Sequence, residues 1–98
     1  MKIKISKKAN DDLIKIWEYT FENWSYEQAD RYIRLITSKF TEIFRDPDIG
    51  KDYEGVRKNY RGLIIKSHII FYKIPQKGKI EIIRVLHQRM DLIKRLEE

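Results

Sequence analysis

Residues 64–74, IIKSHIIFYKI, and 79–91, KIEIIRVLHQRMD, decide the fold of this chain. Two runs rich in β-branched and aromatic residues, joined through Pro75-Gln76-Lys77-Gly78, predict a β-hairpin. The second run passes straight into a polar cluster, His87, Gln88, Arg89 and Asp91. Polar groups at the exit of a packed strand inherit the rigidity of the sheet, so functional residues are expected there.

The pattern upstream completes the fold. Strands are predicted over roughly 60–66, 68–75 and 79–87, close enough in sequence to pair antiparallel. In the last, strict alternation would place Ile80, Ile82, Arg84 and Leu86 on one face and Glu81, Ile83, Val85 and His87 on the other. Both faces are then apolar at mid-strand, as in a central strand. Residues 45–59 are polar, carry Gly50 and Gly55, and read as a loop.

Before it, two helices are predicted at about 7–23 and 26–45. Ser6 caps the first, whose stripe is Ala9, Leu13, Ile16, Trp17, Thr20 and Trp24, and Asp11 and Asp12 complement its dipole. Ser25-Tyr26-Glu27-Gln28 fits a capping box for the second, whose stripe is Ala29, Tyr32, Ile33, Ile36, Phe40, Ile43 and Phe44. Pro47 and Gly50 stop it. Lys2-Ile3-Lys4-Ile5 alternates as a short strand with Ile3 and Ile5 inward.

The expected architecture is α+β: an N-terminal strand, an antiparallel two-helix hairpin, then a three-stranded antiparallel sheet that the hairpin covers on one face. The other face is expected to be a shallow surface edged with polar residues. Trp17, Ile36, Phe40 and Ile82 should be buried, and 98 residues suit one domain over 1–98.

Composition narrows the chemistry. There is no cysteine, hence no disulfide framework, thiol nucleophile or thiolate zinc site. No apolar run approaches the roughly 18–20 residues that span a bilayer, and Met1–Ile5 is too short and alternating for a signal peptide, so a cytoplasmic protein with no membrane contact is expected. The formal charge of +6 lies entirely in the second half, where residues 51–98 hold twelve Lys/Arg against six Asp/Glu. Between Arg57 and Arg95 the only acids are Glu81 and Asp91, which points to a polyanion or an acidic partner protein.

Among nucleophile-based sites, no serine sits in an elbow context and no Gly-rich loop precedes a helix. His68 and His87 lack a metal-ligand spacing, so neither metal nor cofactor is expected. Metal-free RNA cleavage needs a base, an acid and a cation for the phosphorane. Arg61, Arg84 or Arg89 could supply the cation, His87 or Glu54 the acid or base, and Tyr72 a hydroxyl or stacking ring. Arg84 and His87 have opposite strand parity and converge only if a bulge or the strand's end redirects His87. The alternative for His87 is a structural histidine bonded to nearby backbone or to Asp91, and for Arg89 and Asp91 a local ion pair. Trp17, Trp24 and Phe71 read as core or partner-groove residues.

RGLIIKSHIIFYKI (61–74), IEIIRVLHQRMD (80–91), with Val85-Leu86-His87-x-Arg89-x-Asp91 at its centre, and the opening ISKKANDDLIKIWEYT (5–20) resemble the RelE/ParE superfamily of bacterial toxins, and within it the ParE branch. The resemblance implies the toxin of a type II toxin-antitoxin pair, neutralised by a small, acidic, partly disordered cognate antitoxin. ParE relatives act on DNA gyrase and block replication, while RelE relatives cleave mRNA on the ribosome. The ribonuclease branch usually carries a Tyr or His near the C-terminus, and QRMDLIKRLEE (88–98) offers neither. A non-catalytic gyrase inhibitor is therefore expected, contacting its target through His87, Arg89, Asp91, Lys94 and Arg95 and its antitoxin through Trp17, Trp24, Arg57 and Tyr72. The alternatives are a ribosome-dependent endoribonuclease using Arg61, Arg84 and His87, or a bare nucleic-acid- or protein-binding module.

Overall fold

The computed structural model describes residues 2–97; Met1 and Glu98, the ends of the expected domain, lie outside the described residues. Strand β1 (Lys2–Ile5) leads into helices α1 (Lys7–Asn23) and α2 (Tyr26–Arg45). Strands β2 (Lys51–Asp52), β3 (Arg61–Ile65), β4 (His68–Gln76) and β5 (Lys79–His87) follow, then a short helix α3 (Leu92–Glu97). The strands form one five-stranded sheet in the order β1-β5-β4-β3-β2.

Both helix starts follow from their caps. Ser6 Oγ accepts the Ala9 N–H at 3.0 Å and Ser25 Oγ accepts that of Gln28 at 3.1 Å, each satisfying a donor the first turn leaves open. The apolar stripes then bury Ala9, Leu13 and Ile16 from α1 and Ile36, Phe40 and Ile43 from α2 against Ile70, Tyr72, Ile80, Ile82 and Val85 of the sheet. Ile36, Phe40 and Ile82 are buried as their spacing predicts. Trp17 is only half-buried, because its ring stacks on Phe21 at 5.2 Å and meets Tyr26 edge-on at 5.8 Å.

Further expectations need correction. The sheet gains two strands: β1 pairs parallel with β5, and β2, inside the expected loop, pairs with β3. Ile3 and Ile5 are exposed rather than inward, since β1 is an edge strand. The second sheet face is not bare, because α3 lays Leu96 over Tyr60, Ile69, Phe71 and Leu86, so the apolar-basic tail is docked on the fold. Finally, β5 carries a bulge. Phe71 pairs with Arg84 but Tyr72 with Ile82, leaving Ile83 as the extra residue. Val85 therefore packs with Ile80 and Ile82 under the helices, and Leu86 packs on the α3 side.

Tyr72 corrects the expectation of a stacking or partner-binding ring. It is fully buried, with its hydroxyl donating to Pro47 O at 2.6 Å and accepting the Gly50 N–H at 2.9 Å. This hydroxyl pins the loop that leaves α2, and a Cβ on Gly50 would lie 2.5 Å from it, which is why glycine stands there. Tyr72→Phe should lose about 1–3 kcal/mol, the usual cost of leaving buried backbone polar groups unsatisfied. Urea unfolding of the two proteins measures it, and equal midpoints would refute the role.

Candidate functional site

The strand exit singled out by sequence forms one wall of an open groove of about 950 Å³. The turn between β3 and β4 places Lys66 in the left-handed region at φ 53°. Gln88 ties β5's end to that turn, donating from its backbone N–H to Ser67 O at 2.9 Å and from Nε2 to Lys66 O at 2.7 Å. Within this clamp His87 lies directly across from His68, their rings 5.2 Å apart and edge to face. Arg89 donates its backbone N–H to His87 Nδ1 at 3.0 Å, so the neutral His87 ring carries its proton on Nε2. Tyr32 from α2 brings its hydroxyl to 2.6 Å from His68 Nδ1.

Across the groove stand Tyr19 and Trp24, exposed and edge to face with ring centroids 6.2 Å apart. Lys15, Arg31, Lys66 and Arg89 also line it, against a single carboxylate among the described residues, Asp12. That carboxylate is engaged elsewhere. Asp12 is buried and holds Arg84 through two bonds, Nε to Oδ2 at 2.8 Å and Nη2 to Oδ1 at 3.0 Å, and accepts the Val85 N–H at 3.0 Å. The groove is thus cationic.

Burial pushes the His68 imidazole down to about 4, with the neighbouring His87 adding to the effect and Asp12 opposing it. Burial likewise raises the Tyr32 hydroxyl, against an opposing hydrogen-bond contribution from Ser67. Because the unfolded chain takes up a proton on His68 near pH 6.5 and the folded chain only near 4, this residue stabilises the fold above 6.5 and loses that contribution as pH falls towards 4. After allowance for partial solvent access, about 1–2 kcal/mol should disappear between pH 7 and 4.5. Denaturant unfolding of wild type and His68→Gln across that range tests it, and parallel curves would contradict it.

The expected catalytic residues do not assemble. Arg61 donates to Gly50 O at 2.8 Å and lies 3.4 Å from Asp48, while Arg84 is held by Asp12 and donates to Arg95 O at 2.9 Å. The bulge falls before Arg84, so Arg84 and His87 keep opposite parity. Arg84 lines the α3 side and His87 the groove. His87 makes the backbone bond expected of a structural histidine. Asp91 does not form the expected ion pair with Arg89; its side chain accepts the Lys94 N–H at 3.2 Å and caps α3.

Lys94 and Arg95 are exposed on α3, and Arg89 is exposed at the groove. Of the residues assigned to the antitoxin, Trp24 lines the groove, Trp17 sits in the aromatic cluster behind it, and Arg57 lies on the opposite side over the Tyr60 ring at 6.0 Å. Tyr72, being buried, is removed from that set. Sequence reasoning missed Asp12, Tyr32 and His68. Asp12 and Arg84 each interrupt an apolar pattern, and that shared anomaly is the signal that pairs them.

The family model described as "ParE toxin of type II toxin-antitoxin system, parDE" matches residues 3–92. The chain belongs to the ParE toxin family. It is 36% identical to Toxin ParE1 of Mycobacterium tuberculosis over 92 residues, covering 94% of each chain. It is 38% identical to Toxin ParE1 of Caulobacter vibrioides over 88 residues, covering 90% of each. Among solved structures it shares the fold of a chain described as "Chromosomal ParDE TA system from P. aeruginosa", with a TM-score of 0.77, 18% identity, and coverage of 89% of this chain and 95% of that one. In this ParE chain no group of three or more His, Cys, Asp or Glu among the described residues could hold a metal ion. No helix among them is long and apolar enough to cross a membrane.

Proposed function

We propose that this ParE toxin acts in the cytoplasm by binding DNA gyrase and blocking replication without catalysing a reaction, and that a cognate acidic antitoxin neutralises it. The observation that carries this reading is the engagement of the sheet arginines. Arg61 and Arg84, two of the three cations that could serve a phosphorane, each hold the fold together, Arg61 at Gly50 and Asp48 and Arg84 at Asp12. Arg89 and Lys94 are exposed at the surface, where charge favours docking over chemistry. The relatives named Toxin ParE1 support the toxin assignment, and the ParDE title of the structural neighbour supports an antitoxin partner.

One observation favours a second reading, cleavage of mRNA on the ribosome: the His68–His87 pair with Tyr32 beside it presents acid-base groups in a groove. Purified protein added to a gyrase supercoiling reaction and, separately, to programmed ribosomes decides between them. Loss of supercoiling with intact mRNA is expected. Codon-positioned cleavage with undisturbed supercoiling would reverse the assignment.

A further inference from the structure

A second cationic surface lies on the face of the sheet away from the α1-α2 hairpin. Lys7 and Lys8 from the first turn of α1, Arg57 from the loop between β2 and β3, and Lys73 of β4 surround a shallow hollow of about 300 Å³ beside α3. Lys7, Lys8 and Arg57 are exposed and Lys73 is half-buried, and none of the four forms an ion pair among the described residues. Two acids, Glu81 and Glu97, share the hollow, and a fifth cation, Arg84, is already held by Asp12. Glu81 is itself flanked in register by Lys73 on one side and Lys4 of β1 on the other, so the positive field prevails. The lining also separates this surface from the groove. The groove offers the exposed rings of Tyr19 and Trp24, whereas the apolar side chains lining the hollow, Tyr60, Ile83 and Leu96, belong to the core under α3.

We infer that this face binds the phosphate backbone of double-stranded DNA, without regard to sequence, through Lys7, Lys8, Arg57 and Lys73. An acidic protein segment or a membrane would meet the same charges, but each draws its affinity from apolar anchors, which the hollow keeps inside the core. A phosphate backbone needs none, because the counterions that lysine and arginine displace supply its binding free energy. Unpaired bases would need an exposed ring to stack on, and Tyr60, the one ring lining the hollow, is buried. Duplex DNA therefore fits better than a single strand. The inference stands whether or not gyrase is the toxin's target, and it uses none of the cations assigned to that contact.

Fluorescence anisotropy tests it, with the purified full chain added to labelled 20-bp duplexes of two unrelated sequences, to one of their single strands and to a Glu/Leu-rich peptide. Both duplexes should bind saturably and alike, more tightly than the single strand. With about four phosphates engaged, duplex affinity should fall about 10²-fold between 50 and 200 mM salt. Lys8→Gln with Lys73→Gln should weaken duplex binding at least about tenfold at 50 mM salt and lower the salt slope by about two. Lys15→Gln with Lys66→Gln, which removes two cations from the groove instead, should leave duplex affinity unchanged. Thermal unfolding verifies that both double variants fold. Absence of saturable duplex binding, a single strand bound as tightly as the duplex, or equal loss in the two variants would each overturn the assignment. So would duplex affinity unmoved by Lys8→Gln with Lys73→Gln, or peptide binding that falls more than duplex binding in that variant.

Discussion

Asp12→Ala should destabilise the protein by about 3–5 kcal/mol, the cost typical of removing one partner from a buried ion pair. The carboxylate accepts three bonds, two from the Arg84 guanidinium and one from the Val85 N–H, at the edge of β5 beyond the point where β1 stops at Ile82. Without it, Arg84 keeps its charge in a buried position and Val85 keeps an amide that lies past its strand partner. Arg84 also reaches the Arg95 carbonyl, so the change loosens α1, β5 and α3 together. For a chain this small each kcal/mol moves the melting temperature by about 4–8 °C, so a fall of more than about 12 °C is expected. Removing both charges, as in Asp12→Leu with Arg84→Met, should recover part of the loss, because a packed apolar pair carries no charge to desolvate but still leaves the Val85 N–H without its acceptor. A single variant that melts within about 1 kcal/mol of wild type would show that the pair contributes little.

Where sequence failed, the failure lay in contacts between distant residues. Helix periodicity and the two serine caps are local, and the helices lie where those signals put them. The bulge at Ile83 is not local: it answers to packing on two faces at once, so strict alternation assigned Val85 and Leu86 to the wrong sides. Asp12 looked like a helix-dipole residue because its partner is 72 positions away. The His68–His87 pair was within reach of counting. A two-residue turn pairs Gln76 with Lys79, and eight steps back and eight on arrive at His68 and His87. The count survives because the shift at Ile83 on β5 is compensated by the one between Lys73 and Gln76 on β4. Tyr32, which completes that cluster from α2, had no such arithmetic, since helix-to-sheet docking fixes it.

Reversing charge at the exposed basic surface should have the largest functional effect. Arg89 stands at the groove and Lys94 on α3, both outside the buried pair network, so Arg89→Glu with Lys94→Glu leaves the core contacts intact. If the surface docks on gyrase, opposing charges there should raise the concentration for half-inhibition of supercoiling by about 10²-fold, within the range of interface hot spots. The effect should shrink as salt rises, because exposed charges are screened beyond about 10 Å at 0.1 M. His87→Ala, by contrast, removes an imidazole whose Nδ1 serves a backbone amide, and should shift inhibition only about threefold or less, in step with any lost stability. A ribonuclease would invert this pattern. His87→Ala would then lower single-turnover cleavage by about 10² or more, the scale of losing an acid-base group, and the charge reversal would act mainly on ribosome affinity. The two variants measured side by side in both assays separate a docking surface from a catalytic one, and strong loss in the His87 variant with little in the double reversal would refute inhibition by docking.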